Sequence, residues 1–144
     1  MTDLHRHRTA VTFVDGSSVV GVTFLGDAPY AREAVPTFGV YLDERWDPPW
    51  PHVLVDWPDF GLPADRGAFR AALRDALDRA QRRERVEVGC LGGHGRTGTA
   101  LACLAVLAGT PATDAVAWVR ANYCDKSVET PAQEEFVLAF EVTN

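Results

Sequence analysis

The stretch that most constrains this chain is Val86 to Thr99, VEVGCLGGHGRTGT. A short β-branched run ends on Cys90, a glycine-dense loop follows, and Arg96-Thr97-Gly98-Thr99 opens a long apolar run. That is the order strand, loop, helix, which points to an α/β domain whose ligand sits beyond the strand's carboxyl end. Cys90 and Arg96 bracket the loop, with Gly92, Gly93 and Gly95 between them. Glycines permit the positive φ values that aim successive amides at one point, and the following helix adds its partly positive N-terminus. The expected product is an anion cradle with a thiol beneath it.

The rest of the chain supplies the frame. Thr9 to Phe24 alternates β-branched and small residues around Asp15-Gly16, a hairpin pattern. Residues 27–37 carry two prolines and read as a loop or a short helix. Phe38 to Leu42 and His52 to Trp57 read as strands, separated by a turn-rich segment with Trp46 and Trp50. Those tryptophans are core residues in the simplest reading, or the wall of an aromatic phosphate pocket. Pro58 to Pro63 must be a loop. Phe69, Leu73, Ala76, Leu77 and Ala80 recur at helical spacing and predict a helix over 64–83. Val86 to Cys90 is short enough to be a central, buried strand, and Thr97 to Ala108 is apolar nearly all round, predicting a helix inside the fold that Gly109 ends. Thr110-Pro111 reads as an N-cap and first helical residue of a helix to about Tyr123, and Thr130-Pro131 repeats the device for a last helix through Phe136, Val137 and Phe140.

At 144 residues, with 47% hydrophobic and 24% charged, the chain is expected to be one domain over 1–144. The expected architecture is a central mixed, mostly parallel sheet flanked by helices. Residues 1–8, including His5-Arg6-His7-Arg8, read as a frayed tail without a role. The net charge of −6 argues against nucleic-acid or anionic-membrane partners held by bulk electrostatics. Three cysteines without a C-x-x-C pair make no disulfide framework, and neither a signal-type apolar run nor a membrane-length one is present. A cytoplasmic monomer is the expectation.

The chemistry follows from Cys90. A thiol at a helix N-terminus, ringed by amides and near a guanidinium, has its pKa lowered from about 8.5 into roughly 3.5 to 7.5. Arg96 offers a planar fork for two phosphate oxygens. Together they fit attack on phosphorus through a phosphocysteine. The leaving oxygen then needs a proton, for which Asp59, on an upstream loop between a strand and a helix, is the candidate. If the strand before it neighbours the Cys90 strand, both loops open at one sheet edge. Trp57 and Phe60 would raise the Asp59 pKa toward a usable value.

Cys90-Leu91-Gly92-Gly93-His94-Gly95-Arg96-Thr97-Gly98 resembles the C-x-x-G-x-G-R-[ST]-G signature of the cysteine-dependent protein tyrosine phosphatase superfamily. Trp57-Pro58-Asp59-Phe60-Gly61-Leu62-Pro63 is similar to its general-acid loop, and Thr130-Pro131-Ala132-Gln133 to a downstream segment bearing a water-positioning glutamine. The length resembles that of the compact, dual-specificity-like members. The resemblance implies Cys90 as nucleophile, Arg96 as phosphate clamp, Asp59 as acid then base, and Thr97 as helper of the departing thiolate. It implies phosphate binding by the amides of Leu91, Gly92, Gly93, His94, Gly95 and Arg96, with no metal and no cofactor. Gln133 has a second explanation, since Thr130-x-x-Gln133 is also a capping box.

One residue departs from the family pattern: Gly89 stands where most members have histidine. This puts the thiol's acidity at the centre of the functional question. His94 reads as a solvent-facing loop residue or a contact to a second negative group on the substrate. Cys103 and Cys124 read as structural, and Arg120 as part of a solvated face. The expected activity is hydrolysis of phosphomonoesters, phosphotyrosine or mixed protein substrates first. The alternatives are an inactive phosphate-binding module, or a phosphatase for a small non-protein phosphate such as a phosphoinositide or a nucleotide.

Overall fold

The computed structural model describes residues 8–22, 30–58, 61–90 and 95–140. Five strands and four helices appear among them: β1 (Arg8–Thr12), β2 (Ser18–Val22), β3 (Phe38–Tyr41), β4 (His52–Leu54), α1 (Arg66–Gln81), β5 (Val86–Gly89), α2 (Gly95–Ala108), α3 (Ala112–Asn122) and α4 (Pro131–Leu138). The sheet order is β1-β2-β5-β3-β4. β1 and β2 are antiparallel, and every other pairing is parallel. This is the single α/β domain with a mixed, mostly parallel sheet that the sequence predicts.

The hairpin turns where expected. Gly16 has φ +90°, and Asp15 Oδ1 accepts from the Ser17 amide at 2.9 Å and its hydroxyl at 2.6 Å. Arg8, which the sequence assigns to the tail, instead opens β1 opposite Val22. The described part of the proline-containing segment, 30–37, forms no helix. β4 is shorter than the predicted 52–57: Val55 still donates to the Tyr41 carbonyl, but the chain then leaves the sheet toward Pro58. At the sheet edge β4 has one neighbour, and Val53 and Leu54 are exposed.

Alternation along the strands divides the core in two. Val19, Phe38, Val40, Val86 and Val88 belong to the cluster filled by α1 and α2, and α2 also packs against α3 and α4. α1 buries the five predicted apolar residues together with Ala72. α2 is buried almost throughout, and Gly109 at φ +124° ends it. No helix among the described residues is long and apolar enough to cross a membrane. The other sheet face carries Val22 and Tyr41 against Trp46 and Trp50, so both tryptophans are core.

Two capping assignments resolve differently. Thr130 caps α4, accepting from the Gln133 amide at 3.1 Å, with Pro131 in the first turn. The α3 boundary is corrected: Pro111 holds the cap position and no side chain caps the helix. The Thr110 amide donates to the Ala105 carbonyl just past the end of α2, and its side chain does not cap α3.

Candidate active site

The site forms at the carboxyl edge of β5. The Cys90 amide donates to the Val22 carbonyl at 3.0 Å, which continues the β2 pairing one residue past the strand. The thiol is fully buried, and Thr97 Oγ1 donates to its Sγ at 2.8 Å. A hydrogen bond offered to sulfur favours the thiolate. Thr97 lies in the first turn of α2, so the β5-to-α2 connection returns a hydroxyl to the sulfur.

Arg96, also in that turn, is 4% exposed. Its Nη1 donates to the Leu42 carbonyl at 3.0 Å and the Trp57 carbonyl at 3.1 Å, and its Nη2 lies 3.5 Å from Asp43 Oδ2. The guanidinium thereby ties together α2, the end of β3 and the start of the Pro58 loop. Asp43 is itself buried and accepts from Arg45 Nε at 2.9 Å. That Arg45 hydrogen bond first, with the charges of Arg45 and Arg96 after it, holds the Asp43 carboxyl below its usual range against the opposing effect of burial.

Asp59 and Phe60 lie outside the described residues, as do Leu91, Gly92, Gly93 and His94. The ends of the Asp59 segment are fixed. The Gly61 amide donates to the Pro58 carbonyl at 2.9 Å, and the Gly61 carbonyl accepts from Trp57 Nε1 at 2.7 Å and Gln133 Nε2 at 3.1 Å. β3 separates β4 from β5, so the strands preceding Asp59 and Cys90 are not neighbours. All three run parallel, so the carboxyl ends of β4 and β5 still lie at one edge of the sheet.

Gln133 is fully buried and engaged at both ends of its amide: Oε1 accepts from the Glu129 amide at 2.7 Å while Nε2 holds Gly61. The cap reading of this residue is seen directly, and its side-chain amide is committed to protein partners. Its backbone amide completes the cap, and its side chain fastens α4 to the segment carrying Asp59.

The backbone at Gly89 is closely flanked. A Cβ there would stand 3.0 Å from the Val22 carbonyl oxygen and 3.3 Å from the Tyr41 ring. Tyr41, opposite Gly89 in register, lies across it and stacks on Trp46 with centroids 4.6 Å apart and planes 10° apart. A side chain at position 89 would press on both the Val22 carbonyl and the Tyr41 ring, which would have to give by a few tenths of an ångström. Gly95 meets a similar restriction, because a Cβ would collide with the Glu129 carboxylate and approach Gln133 Oε1 to 3.0 Å.

Sequence reasoning missed Asp43, Glu129 and the two carbonyls that hold Arg96. Asp43 had a readable signal, being a carboxylate just beyond a strand's carboxyl end. Carbonyls have none, since every residue carries one. Cys103 and Cys124 are both buried free thiols, and burial pushes both thiols up. Arg120 keeps an exposed side chain, as expected, and also donates to the Ser127 carbonyl at 2.9 Å and the Val128 carbonyl at 2.8 Å, anchoring the turn before α4.

Residues 62–137 match the family described as PTP-SAK, the Swiss Army Knife protein, DSP-PTPase phosphatase domain, and the chain belongs to that family. It is similar to the uncharacterized protein MJ0215 of Methanocaldococcus jannaschii, 36% identical over 113 residues that cover 70% of this chain and 68% of the relative. The crystal structure of Tk-PTP in its active form superposes with a TM-score of 0.70 at 25% identity, covering 89% of this chain and 92% of that one. The core catalytic domain of the PP-IP phosphatase SIW14 from S. cerevisiae shares the fold, with a TM-score of 0.63 at 15% identity over 85% of this chain and 80% of that one. The chain is a phosphatase-type domain of the dual-specificity class.

Proposed function

We propose that the chain hydrolyses phosphomonoesters, protein phosphotyrosine or mixed protein substrates first, through a phosphocysteine intermediate. The observation that supports this reading is the bond from Arg96 to the Trp57 carbonyl, which brings that guanidinium to the start of the segment bearing Asp59, at the edge where Cys90 sits. Cys90 sulfur attacks phosphorus, and the bond to the leaving oxygen breaks as that oxygen takes the Asp59 proton. Arg96 and the loop amides offset the charge that develops on the equatorial oxygens. Water then attacks phosphorus, Asp59 takes its proton, and sulfur leaves as thiolate toward the Thr97 hydroxyl. Gln133 acts by holding Gly61, and with it the Asp59 segment. Lacking histidine at position 89, the thiolate depends on Thr97, the helix terminus and Arg96.

The test is turnover of p-nitrophenyl phosphate with and without a chelator. Cys90→Ser is expected to abolish it and Asp59→Asn to lower kcat by about 10² to 10⁴. An unchanged rate in Cys90→Ser overturns the mechanism. No turnover by the wild type, together with micromolar phosphopeptide binding, makes the chain a phosphate-reading module instead. Capture by Asp59→Ala of an inositol phosphate or a nucleotide in place of a phosphoprotein moves the substrate to the small phosphates.

A further inference from the structure

Val128 holds a φ of +64°, in the left-handed region, although it is β-branched and buried. Such a residue rests there only when its surroundings over-determine the backbone, and such positions cluster at functional sites. The restraint here is Arg120, in the last turn of α3, where the helix dipole favours a cation. Its Nε donates to the Ser127 carbonyl at 2.9 Å and its Nη2 to the Val128 carbonyl at 2.8 Å, with Glu134 Oε2 3.4 Å from Nη2. The planar fork thereby grips the peptide groups on either side of the strained residue.

The gripped turn bears on both halves of the site. Ser127 packs on Gly98 and Glu129 on Gly95, so closely that a Cβ on either glycine would collide with them. Those glycines flank Arg96, which reaches the Trp57 carbonyl, and Thr97, whose hydroxyl meets Cys90 Sγ at 2.8 Å. On the other side, the Glu129 amide donates to Gln133 Oε1 at 2.7 Å, and Gln133 Nε2 donates to the Gly61 carbonyl at 3.1 Å. One short turn therefore touches the thiol half through two glycines and the acid segment through one glutamine.

We propose that Arg120 is a positioning residue for the phosphatase reaction: by clamping the 127–129 turn it seats the first turn of α2 against Cys90 and, through Gln133, the segment bearing Asp59. The proposal rests on the reading of the chain as a phosphatase. Arg120 acts through backbone carbonyls and takes no part in proton or phosphoryl transfer.

The variants are read by kcat and KM for p-nitrophenyl phosphate, by melting temperature, and by ultraviolet titration of the Cys90 thiolate as a difference from the matching Cys90→Ser protein. Arg120→Ala is expected to lower kcat about tenfold with KM within about twofold, and to move the thiolate titration upward as the Thr97 hydroxyl backs away from sulfur. Arg120→Lys keeps the charge without the fork and should fall between. Glu134→Gln leaves both carbonyl bonds and should keep kcat within about twofold. The decisive protein is Arg120→Ala/Val128→Gly. Glycine takes the positive φ without a clamp, so kcat and the titration should return toward wild type, while the melting temperature falls further because a buried side chain is gone. A merely structural arginine would move activity and melting temperature together.

Unchanged kcat and titration in Arg120→Ala, a kcat that falls again on adding Val128→Gly, or a loss in Glu134→Gln equal to that in Arg120→Ala overturns the proposal. If Arg120→Ala does not fold, Arg120→Lys carries the same comparisons, and if neither folds the arginine serves the fold alone, which also overturns it. Failure of the wild type to turn over p-nitrophenyl phosphate sinks the phosphatase reading alone, because the thiolate titration needs no turnover.

Discussion

The two faces of the sheet are built differently. The face under α1 and α2 is closed by aliphatic and aromatic side chains such as Val40, Val88, Leu101, Leu104 and Phe69. The opposite face places a tyrosine, two tryptophans and a buried ion pair over two glycines. Arg32 Nε donates to Glu87 Oε2 at 2.7 Å, with both side chains under 5% exposed. Tyr41 OH donates to Glu87 Oε1 at 2.8 Å and accepts from Trp50 Nε1 at 2.9 Å. Apolar packing is forgiving of shape, whereas the hydrogen bonds and ion pair among Arg32, Tyr41, Trp50 and Glu87 restrict that face to fewer arrangements. The second kind backs Gly89, the residue directly before Cys90. On this comparison the helical face supplies most of the burial and the aromatic face fixes the strand from which the thiol hangs.

The sharpest way to break that distinction is Glu87→Ala, which leaves Arg32 buried without its carboxylate and should cost about 3–5 kcal/mol by denaturant unfolding. Replacing both partners, Arg32→Met with Glu87→Leu, should recover most of that loss, and failure to recover it would locate the stability in the ion pair itself. On the helical face Leu101→Ala should cost about 2–5 kcal/mol through cavity formation, with a smaller effect on turnover than an equally destabilising change at Tyr41. Gly89→His should cost about 1–3 kcal/mol by overpacking against Tyr41 and should lower turnover of p-nitrophenyl phosphate. A gain in turnover would show that the aromatic face yields.

The smallest effect concerns pH. Because the Asp43 carboxyl is held below its ordinary value, its contribution to stability is complete above about pH 4 and is lost as pH falls through the depressed value. Melting curves from pH 7 to pH 3 should therefore drop more steeply at the acid end for the wild type than for Asp43→Asn. Tyr41 is pushed the other way, by burial first and then by the Glu87 charge, so it stays a neutral hydrogen-bonding group throughout.

Much of the site was legible because its chemistry is local. Cys90, the glycines and Arg96 are contiguous, and Thr97 reaches the sulfur within the turn that opens α2. Gln133 was half legible, since a Thr-x-x-Gln spacing announces a cap but says nothing of Gly61, 72 positions away. Glu87 was invisible as a buried acid. Its neighbours in sequence are hydrophobic, and its partners Arg32 and Tyr41 lie 55 and 46 positions away.

The sequence by itself determined the hairpin, the amphipathic α1, the buried α2 and the order of acid segment, thiol loop and glutamine, because these depend on spacings within a turn or a strand. Only the tertiary structure decided that β3 stands between the two functional strands, that Arg96 is held by the carbonyls of Leu42 and Trp57, and that Tyr41 fills the space beside Gly89. Strand order and carbonyl partners are set by which distant segments meet. A backbone oxygen is the same in every residue, so no spacing in the chain could name them.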